Sequence, residues 1–287
     1  MLKGYVLGGI RGSNAAWHDA EERALGYYRR TAFPTATCLQ QIAGAIYWGP
    51  TPVPMGISRC AELSADETIG IFGQASIRPF LGGLHAQLGD FAAARELIDE
   101  AEHELTELGA LASVAVVCGA ARSDLELLAG DLEAAESTLR DQCEYFERIR
   151  NRMTLAARAA KLAETLYRQD RLDDARHWAA VSRANIASDD TTQNVMLLPV
   201  EAKLRARKGS LSDARELARE AVRLADGTDT LNVIASTRLA MAAVLRLADV
   251  DGEAEAAIRE AIALFELKGN VVAAARARDL LHIEVVA

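Results

Sequence analysis

Residues 127–140 read "LLAGDLEAAESTLR": the apolar end of one helix, a Gly-Asp pair, and the alanine-rich start of another. Glycine takes the left-handed conformation that closes a helix, and the aspartate that follows it caps the next one. The phrase recurs. "LGDFAAARELIDEA" (88–101), "AGDLEAAESTLRDQ" (129–142), "QDRLDDARHWAAVS" (169–182), "KGSLSDARELAREA" (208–221) and "ADVDGEAEAAIREA" (248–261) fall into one register. An alanine column runs Ala94, Ala135, Ala175, Ala214 and Ala254, in steps of 41, 40, 39 and 40. Twelve positions upstream each time, a column of small residues runs Gly82, Ser123, Ala163, Ala202 and Ala242. Two columns sharing one period define a helical repeat, because each helix pair can bury its apolar stripe only against its neighbours.

The spacing predicts upstream helices over 72–87, 112–128, 152–168, 192–207 and 230–247, each joined to a downstream helix by a tight turn. Gly89, Gly130 and Gly209 suit the left-handed position, and Asp90, Asp131 and Ser210 the N-cap. Apolar residues recur at helical spacing in the downstream helices, as in Leu97, Ile98, Ala101 and Leu105. The expected fold is all-α: a right-handed superhelical array of antiparallel helix pairs. Five pairs occupy 67–270, less regular helices and a proline-rich connector precede them over 1–66, and a capping helix closes the array over 271–287. Within the first part, Asn14–Arg30 and 35–48 read as partner helices. Three prolines crowded into "IYWGPTPVPMGISRC" (46–60) stop one helix and start the next near Val53.

Composition agrees and narrows the function. Half of the residues are hydrophobic but only 5% are aromatic, which suits close helix packing. The net charge of −9 argues against direct nucleic-acid binding, which needs a concentrated positive field. The four cysteines, Cys38, Cys60, Cys118 and Cys143, form no C-x-x-C pair and read as reduced, mostly buried thiols of a cytoplasmic protein. The start, "GYVLGGI", has no cleavage-site pattern of a signal peptide, and the uncharged stretch 31–58 is interrupted by prolines before reaching the roughly 20 apolar residues of a membrane span.

The set of small residue, Gly-Asp turn, apolar residue (Phe91, Leu132, Leu172, Leu211), alanine and second small residue (Ala101, Ser182, Ala221, Ala261) resembles the tetratricopeptide repeat. The period near 40 exceeds that family's usual length, and HEAT-like repeats stand as the structural alternative. More narrowly, "YWGPTPVPMGISRC", "LAETLYRQDRLDDAR", "AKLRARKGSLSDARELAREAVRLADGTDTL" and "ALFELKGNVVAAARARDLL" are similar to the C-terminal helical-repeat region of large, chiefly actinobacterial regulators. There a cyclase-like or DNA-binding domain precedes an ATP-binding domain and then the array. An excess of 27 arginines over 5 lysines accords with a GC-rich genome. The chain carries no G-x-x-x-x-G-K-[ST] phosphate loop, so cyclase or ATPase activity is not implied. After "SDDTTQ" it has Val195, Met196, Leu197, Leu198 and Pro199 where the resemblance leads one to expect a tryptophan-arginine pair.

No motif assembles a catalytic centre, and neither a cofactor nor a metal is expected. "GGIRGS" (8–13) lacks the strand context of a phosphate loop and reads as a flexible leader. "HDAEE" (18–22) has a spacing a metal could use but no second cluster, and reads as a solvated helix face. His85, His103, His177 and His282 lie in different units. "KLRARK" (203–208) places positive charge at a helix C-terminus, where the helix dipole favours it. Tetratricopeptide geometry would turn Gln87, Asp124, Glu164, Arg168, Lys203, Arg207 and Arg246 toward a concave groove. The expected function is a noncatalytic scaffold binding a protein or peptide segment, or a neighbouring domain of the same regulator; the alternative is a module that senses a small-molecule effector.

Overall fold

The computed structural model describes residues 6–187 and 190–282. It is all-helical, with no strand among the described residues, and its helices pack in adjacent pairs as an all-α helical-repeat fold requires. The chain divides into two compact units, Met1–Thr138 and Leu139–Ala287.

The first unit opens with a π-helical turn, Val6–Ile10, followed by α1 (Asn14–Arg30), α2 (Ala36–Trp48) and α3 (Val53–Ser64). A 3₁₀ turn, Glu67–Ile69, leads into the pair α4 (Gly70–Leu88) and α5 (Phe91–Glu107). The predicted helix over 112–128 is helical throughout but contains a π-helical turn, Val114–Cys118, ahead of α6 (Gly119–Ala129). Helix α4 is the hub of this unit, packing on α2, α3, α5 and α6. The unit boundary falls within α7 (Leu132–Arg148).

The second unit continues with three hairpins: α8 (Arg152–Arg168) with α9 (Leu172–Asn185), α10 (Thr191–Arg207) with α11 (Leu211–Asp226), and α12 (Leu231–Leu247) with α13 (Asp251–Lys268). The upstream helices α8, α10 and α12 pack in succession, and α14 (Val271–Leu281) closes against α13 through Ala274 and Ala277. Pro199 lies buried inside α10. Of the "SDDTTQ" stretch, Ser188 and Asp189 lie outside the described residues, as do residues 1–5 of the N-terminal segment and 283–287 of the capping segment.

One turn chemistry builds the five upstream–downstream junctions. The left-handed position is filled by Gly89, Gly130 and Gly209, at φ of +91°, +89° and +89°, and by Asp170 and Asp249 at +59° and +56°. Aspartate is among the few side chains that tolerate this region, so the motif survives without glycine. In each junction the next N–H returns to the carbonyl five residues back: Asp90 to His85, Asp131 to Glu126, Arg171 to Leu166, Ser210 to Arg205, Val250 to Leu245, at 3.0–3.1 Å. Asp90 and Asp131 also accept from the amides of Ala93 and Ala134 as expected. Ser210 occupies the N-cap position, but its exposed side chain makes no cap bond, in contrast to the expectation.

The alanine column is wholly buried, with Ala94, Ala135, Ala175, Ala214 and Ala254 all at 0% exposure, and the small-residue column is buried with it. At Gly82 the approach is closest: a Cβ there would sit 2.9 Å from the Ala94 carbonyl oxygen and 3.1 Å from Ile98 Cγ1. The backbones of α4 and α5 touch at a distance only glycine permits.

Two N-terminal expectations are corrected. The "GGIRGS" leader folds: Gly8 is buried under the indole of Trp17, so close that a Cβ would fall 2.2 Å from its ring. Burial of that indole, stacked on Trp48 at 6.2 Å, holds the segment down. Nor is "HDAEE" a solvated face throughout, because Glu21 is fully buried and accepts from the Cys38 thiol at 3.3 Å.

Candidate binding surface

In an upstream helix, the residue after the small-residue column and those one turn further along project beside the neighbouring upstream helix. Each of the seven candidate residues has a definite fate, and most are engaged within the protein rather than left open to a partner.

In the first unit, Gln87 is buried at 2% exposure. Asp124 accepts a 2.9 Å hydrogen bond from the phenol of Tyr47, which lies on α2. The contact joins α2 to α6 across the intervening α4, and Gly83 makes room for it: a Cβ there would lie 2.6 Å from the Tyr47 ring. Tyr47 was not among the sequence candidates. The available signal was a glycine in the column directly between an aromatic residue and an acid. Tyr47 also belongs to an aromatic cluster with Trp48 and Phe80, whose ring centroids lie 5.3–6.0 Å apart.

In the second unit, Glu164 on α8 and Lys203 on α10 form an ion pair at 2.6 Å, one repeat apart in the same column. Lys203 is buried at 7% exposure, and its ammonium sits 4.5 Å from the centre of the Tyr167 ring, so its charge is held by a carboxylate and an aromatic face together. Arg207 donates to Asp170 at 2.6 Å and hydrogen-bonds the Tyr167 phenol, whose ionisation burial pushes upward. Arg246 donates to the Leu280 carbonyl and ties the end of α12 to that of α14. Arg168 is different: it is exposed and, among the described residues, has no ion-pair or hydrogen-bond partner. Nearby, Arg276 of α14 is partly buried, and burial together with the charge of Arg168 lowers its pKa from the ordinary arginine value.

Elsewhere the titratable groups serve packing. All four cysteines are buried and no disulfide joins them. Burial pushes the thiols of Cys38, Cys118 and Cys143 up to about 12, the opposite of what a nucleophile needs. Among the described residues no three histidine, cysteine or acidic side chains are grouped to hold a metal ion. A surface cavity of about 510 Å³ along α11 is lined by Leu217 and by Arg205, Arg219 and Arg223 against Asp213, Glu216 and Glu220, and so carries no net charge. No helix among the described residues is long and apolar enough to cross a membrane.

No family model matches the chain, and no curated protein does. Among solved structures, it is similar to the crystal structure of BtubC (BKLC) from P. vanneervenii, at 14% identity and a TM-score of 0.49, over 82% of this chain and 91% of that one.

Proposed function

We propose that the protein is a noncatalytic interaction module whose upstream helices present a binding surface to a protein segment or to a neighbouring domain of a larger regulator. In this reading the hairpins within each unit follow the right-handed superhelical path of tetratricopeptide-type repeats. The observation that carries it is the run α8, α10, α12, packed side by side, with Glu164 and Lys203 in one register, Arg168 and Arg207 in another, and Arg246 one position off the latter. A polar ladder on consecutive repeats is the form of surface that reads an extended segment. Thiols buried and held protonated suit the reducing cytoplasm, where we place the protein.

The test is site-specific photocrosslinking in the cells of origin. A crosslinking amino acid at Arg168 or Arg207 is expected to capture one discrete polypeptide. The same probe at Glu216 or Arg219, exposed on the downstream helix α11, is expected to capture none. Equal capture from both faces, or none from either, refutes the assignment.

A further inference from the structure

The chain reverses at each hairpin of the first unit, so the α1–α2, α3–α4 and α5–α6 connections come to one end of it, and that end is apolar. Tyr27 and Phe33, at the end of α1, are each 57% exposed; Ile71 and Phe72, in the first turn of α4, are 59% and 40% exposed; Leu108 and Leu111, beyond α5, are 51% and 56% exposed. Printed side by side by the fold, the three connections are also tied by contacts. Phe33 packs on Tyr28 at 5.1 Å, and Arg29 reaches Asp66 of the α3–α4 connection at 3.7 Å. Asp66 caps that connection by accepting from the Thr68 amide, two residues before α4 begins. On the other side, Arg78 of α4 holds Glu104, in the last turn of α5, at 2.8 Å, and α4 packs on the π-helical turn that follows Leu111.

We infer that this end of the first unit is the interface of a two-fold homodimer. At the area an aromatic side chain carries, the three rings expose about 300 Å² between them. The three aliphatic side chains bring the band to roughly 500 Å² per chain. A second copy laid on it buries about 1,000 Å² in all, the size a specific interface must reach. Charge selects that occupant. Helix α1 packs on α2, while α5 lies beyond α4, so the two helices flank the band on opposite sides. Arg30, exposed and without an ion-pair partner among the described residues, stands on the α1 flank. Glu107, exposed beside His103 at 3.5 Å, ends α5 on the other. A two-fold axis lays each flank against the opposite flank of the mate, so Arg30 meets Glu107 twice. The interface goes beyond the groove proposed above, which lies in the second unit, so either idea can fail alone.

The experiment is sedimentation equilibrium of the full chain over about 1–100 µM. The natural chain is expected to pass from monomer to dimer and to stop there, because a two-fold contact closes on itself. F33S and L108S change exposed side chains, so they should fold normally by circular dichroism yet each weaken dimerisation by about tenfold. If F33S fails to fold, L108S decides alone. L267S, as exposed but in the second unit, should leave dimerisation unchanged. R30E and E107R should each weaken it severalfold, and the double variant R30E/E107R, which restores opposite charges in reversed order, should recover most of that loss. A chain that stays monomeric throughout, or grows beyond a dimer, overturns the inference. So does a dimer that F33S and L108S leave intact, or a double variant no tighter than the single ones.

Discussion

Replacing glycine by alanine at two positions of the first unit separates helix propensity from packing. Gly26, inside α1, has Arg30 Nη1 as its nearest neighbour, 3.8 Å from where a Cβ would lie, and that is the far end of a flexible side chain. G26A therefore gains the ordinary preference for alanine in a helix, about 0.5–1 kcal/mol. G82A gains the same term but places its Cβ 2.9 Å from the Ala94 carbonyl oxygen, a backbone atom that cannot rotate aside. Relief requires α5 to move away from α4, which loosens Ile98 and Ala101, both fully buried. Overpacking of this kind costs about 1–3 kcal/mol. The propensity term is common to both variants and cancels in their difference, so G82A should be less stable than G26A by about 1–3 kcal/mol. Urea unfolding followed by circular dichroism measures that difference, provided the slopes of the two transitions agree. Equal midpoints would show that the two backbones do not meet at Gly82, and the hairpin packing argued from the small-residue columns would fail.

Two further outcomes follow from the same structure. Asp249 holds the left-handed turn position at φ +56°, so D249G should raise the stability of the second unit by up to about 1 kcal/mol; D170G should gain nothing comparable, because it also releases Arg207. Thermal melts of the two variants check the contrast. The thiols of Cys38, Cys118 and Cys143 titrate near 12 in the folded chain, against an ordinary value of 9.0, so folding holds their protons more tightly. Their contribution to stability is complete below pH 9 and declines as the pH rises from there toward 12. Native protein at pH 8 should accordingly resist alkylation at these three positions while the unfolded chain reacts fully, as mass spectrometry of the labelled peptides would reveal; rapid labelling of the native chain would contradict their burial.

Much of the fold is legible in the primary structure because the repeat is local. Turn glycines, capping aspartates and the two small-residue columns act over a dozen residues, and backbone sterics translate them directly into hairpins. Even the aspartates standing in for glycine at 170 and 249 could be aligned, since they keep the period and tolerate the same conformation. What the candidate surface does with its polar residues was far less legible. The Glu164–Lys203 pair has a visible signal, opposite charges one repeat apart in a shared column, but the N-terminal details do not. Nothing local announces that Glu21 is buried against Cys38, or that a glycine-rich leader will fold under Trp17.

The amino-acid sequence alone determined that this chain is a succession of helix pairs, where those pairs begin and end, and which small residues lie between their axes. Those properties depend on neighbours along the chain. Only the tertiary structure decided which charges are satisfied: that Tyr47 reaches Asp124 over Gly83, that Asp170 holds Arg207, and that Glu164 holds Lys203 beside the Tyr167 ring. Electrostatic and hydrogen-bond pairing depends on distances of a few ångströms between residues many positions apart. Those distances are set by how successive hairpins stack, which no single segment of the sequence specifies.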